Sequence, residues 1–141
     1  HLDFDLYLAK EKSEENPVYY VQYAHARICS ILRQADSSGT ETPRSSDVDL
    51  TCLEKPAEQD LIRKIAELPG QVKSAAAALE PHRLTHYVME LASSFHSFYT
   101  ECRVLCDDEK LRAARLVLVN ATRIALRNVL TIIGVEAPER M

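Results

Sequence analysis

The side chains best suited to chemistry in this chain are tyrosines and arginines at helical spacing. Tyr20, Tyr23 and Arg27 stand at i, i+3 and i+7, and His96, Tyr99 and Arg103 repeat the arrangement later in the sequence. A tyrosine ring can stack on an unpaired base while an arginine holds a phosphate or a base edge, which is how single-stranded RNA loops are usually read. The competing reading is that these tyrosines line the borders of amphipathic helices, ring inward and hydroxyl outward. Spacing alone leaves the two even.

A second basic feature lies near the C-terminus. Lys110, Arg112, Arg115, Arg123 and Arg127 face only Asp108 and Glu109 as local acids. At 3.6 residues per turn the four arginines fall within a sector of roughly 120°. The formal net charge of −4 is unusual for a nucleic-acid binder. The acids, however, concentrate near the N-terminus and in residues 36–67, so a net-negative chain can still present a basic face. The alternative is a solvated helix face paired with acids elsewhere.

Nothing points to catalysis. There is no G-x-x-x-x-G-K-[ST] loop, no G-x-S-x-G and no H-E-x-x-H. His82 and His86, like Cys102 and Cys106, stand four apart, which is metal-ligand spacing. No nearby carboxylate completes the histidine pair, which reads as solvated polar side chains. Cys102 belongs to an apolar stripe, so those thiols read as packing residues. No catalytic residue, metal or cofactor is expected.

These residues need elements to position them, and the pattern is helical nearly throughout. Glycine is scarce, and no run of alternating β-branched residues marks a strand. A short helix is predicted over 3–13, with Phe4, Leu8 and Tyr7 to one side. Asn16-Pro17 reads as an N-cap followed by proline at the first helical position, opening a helix to about Ala35 with Val18, Val21, His25, Ile28 and Leu32 along one face. Residues 36–47 read as a flexible surface loop of Ser, Thr, Gly, Pro and charge. A third helix fits Pro56 to Leu68, closed by Pro69-Gly70, and an Ala-rich fourth fits Gln71 to Leu79. The fifth runs from Pro81 to about Leu105. The sixth follows Asp107-Asp108 and continues to Ile133, with Gly134 at its C-terminal stop. About six helices with short connections describe a single all-α domain, a helical bundle spanning 1–141.

Length and composition agree with one domain. The chain has 141 residues, 46% hydrophobic and 27% charged. No apolar run approaches the roughly 20 residues of a membrane helix, and the first residues form no signal peptide. Four cysteines without a C-x-x-C pair suit reduced thiols in the cytoplasm. With no initiator Met, the chain reads as a piece of a longer protein.

Several stretches together resemble one family. Asn16-Pro-Val-Tyr-Tyr-Val-Gln-Tyr-Ala-His-Ala-Arg27 looks like the opening of the anticodon-binding domain of arginyl-tRNA synthetases. So do Glu80-Pro-His-Arg-Leu-Thr-His-Tyr87, Phe95-His-Ser-Phe-Tyr99, Leu111-Arg-Ala-Ala-Arg-Leu116, Ala125-Leu-Arg-Asn-Val-Leu130 and the closing Ala137-Pro-Glu-Arg-Met141. The resemblance covers everything but the 36–47 loop, with its motifs in the family's order.

That resemblance implies a helical DALR-type module that grips the anticodon stem-loop of arginine tRNA, where the central cytosine is a major identity element. The parent would be an ATP-dependent class I arginine–tRNA ligase. Its catalytic domain, with its ATP and Mg, would lie upstream and be missing here; the module alone is then not an enzyme. Carried over by position, Tyr20, Tyr23 and Arg27 lie near the anticodon, Tyr99 stacks in its loop, and Met141 matches a terminal residue close to it. Arg127 falls in the motif that names the domain. Placed at residues 124–127, that motif has Ile124 where the family has an acid, a departure from the pattern. The expected RNA-binding set is Tyr20, Tyr23, Arg27, His96, Tyr99, Arg103, Arg123, Arg127 and Met141. The implied partners are arginine tRNA and the parent's catalytic domain, with no membrane. A helical adaptor that docks protein or non-specific RNA through the same Tyr/Arg surface is the alternative.

Overall fold

A computed structural model describes residues 6–11, 13 and 15–141. Its helices are α1 (Leu6–Lys10), α2 (Pro17–Ser37), α3 (Pro56–Ala66), α4 (Leu68–Ala78), α5 (His82–Glu101) and α6 (Glu109–Ile132), with 3-10 turns at Ser45–Asp47 and Leu50–Cys52. No strand occurs among the described residues, and no helix is long and apolar enough to cross a membrane.

The all-helical expectation holds, but four helices rather than six build the core. α5 lies centrally, packed on α2, α3 and α6, while α2 and α3 also pack on α6. Phe95 and Phe98 of α5, Ile28 of α2, Leu61 of α3, and Leu116 and Leu126 of α6 are fully buried. Each such side chain contributes about 1.5–3 kcal/mol by leaving water. α4 leans on α5 and buries Ala75 alone among its residues. α1 is one short turn with Tyr7 91% exposed, so Tyr7 is not on a packed side; Phe4 and the side chain of Leu8 fall outside the described residues.

The helix ends show where local chemistry beats periodicity. Asn16 Oδ1 accepts from the Val18 N–H at 3.0 Å, which satisfies one orphan donor of α2. α2 runs on to Ser37, so Asp36 and Ser37 belong to the helix and not to the surface segment. The exposed stretch beyond it ends in the first 3-10 turn. Pro69-Gly70 does not separate two helices. It sits in the first turn of α4, where proline needs no N–H partner, so α3 stops at Ala66 and α4 starts at Leu68. α5 ends at Glu101, short of the predicted Leu105. Cys102 turns into extended backbone yet stays fully buried. Two arginines of α6 hold the connection that follows: Arg115 Nη1 donates to the Arg103 carbonyl at 2.8 Å, and Arg112 Nη1 to that of Cys106 at 2.8 Å. Asp108 caps α6 by accepting from the N–H groups of Lys110 and Leu111 at 2.9 and 3.1 Å.

Leu79 closes α4 at φ 56°, ψ 39°, in left-handed backbone where glycine is usual, and is 88% exposed. Leu79→Gly is therefore expected to raise stability by about 0.5–1 kcal/mol, the left-handed penalty less the glycine's extra chain entropy. Urea denaturation checks this. A lower midpoint would mean that the leucine side chain stabilises the fold by packing.

Candidate RNA interface

α2 and α5 bring the two predicted stripes face to face. The His96 ring lies 4.8 Å from that of Tyr20, and 6.0 Å from that of Tyr23 in a nearly parallel stack. The Arg27 guanidinium sits 4.8 Å above the Tyr99 ring and 5.5 Å from that of Tyr23. Behind Tyr99, the buried Phe95 ring stacks at 6.0 Å. Six predicted residues thus share the α2–α5 border, with Arg103 beyond Tyr99 at the far end. There Tyr99, Arg103, Gln34 and the 102–105 backbone line a cavity of about 350 Å³.

This geometry revises the sequence reading of the stripes. Tyr20 and Tyr99 do not stand free on a face opposite the core; both are partly buried against it. The helices cross with these rings between them, so the border-filling and the base-stacking readings apply to the same residues. Tyr23 and Tyr99 remain half-buried and Arg27 exposed. No carboxylate among the described residues pairs with Arg27, and its cation–π contacts are worth about 0.5–1 kcal/mol at an exposed site. Arg27 is exposed, so its guanidinium can meet a base or a phosphate.

Of the two readings of the α6 arginines, a free basic face and a face paired with groups elsewhere, the second holds for Arg112 and Arg115. Arg115 is 4% exposed and its Nε donates to Glu58 Oε1 at 2.7 Å, a buried ion pair with α3. Arg112 is committed to the α5–α6 connection. Arg123 is half-buried, with Nε and Nη2 donating to Asn120 Oδ1 at 3.1 and 3.0 Å. Arg127 remains exposed. A residue count on one helix could not show this for Arg112 and Arg115, because their partners come from α3 and from a connection that is not helical. Arg123 and Arg127 lie on the α6 flank of α2, near His25, and so apart from the Tyr99 cluster.

Met141, 53% exposed, lines a cavity of about 450 Å³ with Lys10, Asn16, Val18, Tyr19 and Gln22. Sequence reasoning missed how it is held there. Gln22 Nε2 donates to the Glu136 carbonyl at 2.9 Å, His25 Nδ1 to that of Pro138 at 2.8 Å, and Arg33 Nη1 to that of Glu139 at 3.1 Å. Residues 135–141 are thus bound along α2. His25 had been placed on the aliphatic face, and its polar partner was invisible because it is a backbone carbonyl distant in sequence.

No group of three or more metal-ligating side chains occurs among the described residues, and all four cysteines are free thiols. Burial pushes the Cys102 thiol up, which keeps it protonated and inert. The His82 and His86 rings meet edge to face at 6.2 Å, exposed.

Residues 21–141 match the DALR anticodon binding domain family. The chain belongs to that family. The resemblance read from the sequence is borne out across nearly the whole length. An arginine–tRNA ligase of Moorella thermoacetica is 63% identical over 141 residues, covering 100% of this chain and 25% of the relative. That of Heliobacterium modesticaldum is 61% identical, covering 100% of this chain and 26% of the relative. The solved arginyl-tRNA synthetase of Thermus thermophilus superposes with a TM-score of 0.83 at 34% identity, over 99% of this chain and 24% of that one. This DALR domain therefore spans about a quarter of the length of the curated relatives it matches.

Proposed function

We propose that this DALR domain is the tRNA-binding module of an arginine–tRNA ligase, and that it recognises the anticodon stem-loop of arginine tRNA. The observation that carries the reading is the Tyr23–Arg27–Tyr99 array, in which the Arg27 guanidinium lies over two tyrosine rings at the α2–α5 border. Such a surface takes an unstacked base or a phosphate on the guanidinium, with the rings backing it. Identity to arginine–tRNA ligases over the full chain supports the choice of tRNA.

The module acts with the parent's catalytic part, which supplies ATP, Mg and the esterification of arginine, in the cytoplasm. It takes no cofactor itself and supports aminoacylation by positioning the tRNA.

The test is titration of the chain with arginine tRNA and with a tRNA altered at the central anticodon base, across a salt series. Discrimination together with affinity that falls steeply with salt is the expected result, because neutralising phosphates releases counterions. Salt-dependent binding without discrimination would leave only a general RNA surface. No binding even at low salt would favour the protein-docking alternative.

A further inference from the structure

Three side chains of one helix, Gln22, His25 and Arg33, donate to three carbonyls of one short segment, at Glu136, Pro138 and Glu139. Of the three, His25 alone is buried, at 1% exposure, and it is the one that can titrate near neutral pH. We propose that His25 is a positioning residue of the RNA-binding surface: as a neutral imidazole it fastens residues 135–141 to α2 and so sets the place of Met141. The link to RNA rests on the function proposed above, whereas the fastening stands on the geometry alone.

The chemistry follows from the two ring nitrogens. Nδ1 must carry the proton, because a carbonyl only accepts. Nε2 is then a bare acceptor, buried and without a hydrogen-bond partner among the described residues. Protonating it would bury an N–H with nothing to receive it and add a positive charge where Arg123 and Arg127 of α6 already oppose one. Cys29 of the same helix, with its sulfur 3.8 Å from Nδ1, is a thiol whose ionisation burial pushes up, so it offers no counter-charge. Glu139, on the fastened segment, acts the other way.

Desolvation, first, and then the two arginines hold His25 below its ordinary 6.5, against the Pro138 hydrogen bond and Glu139. The sign is therefore set. The fastened state favours neutral His25, so its stabilisation is complete above the ordinary histidine range and is lost as pH falls through it. Swinging the segment away would let the charged ring reach water.

Methionine-methyl NMR tests this directly, since the chain has two methionines, Met89 against the core and Met141 on the segment. Between about pH 7.5 and about pH 5.5 the Met141 signal is expected to move to its unstructured position while that of Met89 stays. His25→Asn retains a donor for the Pro138 carbonyl without titrating and should keep Met141 in place throughout. His25→Ala should release it at every pH, with Met89 reporting that the core is intact. Binding of the arginine tRNA anticodon stem-loop should weaken on acidification by about 3–10-fold relative to His25→Asn, a comparison between chains that differ at this one position.

A Met141 signal insensitive to pH, or one that moves equally in His25→Asn, overturns the fastening role. Release of Met141 with unchanged RNA affinity overturns its role in positioning the RNA surface. If the stem-loop binds neither protein at any pH, the tRNA reading fails, and the Met141 signal still decides the fastening.

Discussion

Arg115→Met is expected to destabilise the chain by about 3–5 kcal/mol, the cost of breaking a buried ion pair from one side. Arg115 and Glu58 have side chains 5% and 1% exposed and meet at 2.7 Å, so removing the cation strands a carboxylate in the core. It also strands the Arg103 carbonyl, which Arg115 Nη1 holds at 2.8 Å. Glu58 keeps a second task, accepting from the Lys55 N–H at the start of α3. Against a typical total of about 5–15 kcal/mol, the loss is large. Arg115→Lys should fall between, because an ammonium cannot serve the carboxylate and the carbonyl as a planar fork does. Urea unfolding measures both. A loss below about 1 kcal/mol for Arg115→Met would show that Glu58 becomes neutral at little cost.

Tyr99→Ala is expected to weaken binding of the arginine stem-loop by about 1–3 kcal/mol, the usual value of one stacked base. The ring does two things at once. It stacks against the buried Phe95 ring, and it seats the Arg27 guanidinium 4.8 Å above it, so its loss unseats the cation that would meet the base. Arg27→Ala should therefore cost a similar amount, and the double variant clearly less than the sum, since either change dismantles the same array. Tyr99→Phe keeps the ring and should retain most of the affinity. Unchanged binding by Tyr99→Ala with an intact fold would remove Tyr99 from the interface, and full additivity would separate it from Arg27.

These two arginines show how far the sequence was legible. Both stand on amphipathic helices at regular spacing, and both belong to basic clusters in the sequence. Arg27 fulfils the expectation of an exposed cation beside tyrosines. Arg115 contradicts it, although nothing in its local sequence distinguishes it from Arg127. The difference is Glu58, 57 positions away, brought opposite Arg115 by the packing of α3 on α6.

By itself the sequence determined the helical character, the N-cap at Asn16, the acidic start of the last helix, and the family. Each of these is written in residues close together along the chain, where propensity, capping and 3.6-residue periodicity act. Only the tertiary structure decided which four helices build the core and that the Tyr20 and Tyr99 stripes face each other across His96. It also decided that Arg112 and Arg115 serve the fold, and that His25 holds residues 135–141. Those outcomes depend on backbone carbonyls and on partners from other helices. A side chain's role is set by what desolvates it and what answers its charge, and chain folding alone brings those groups together.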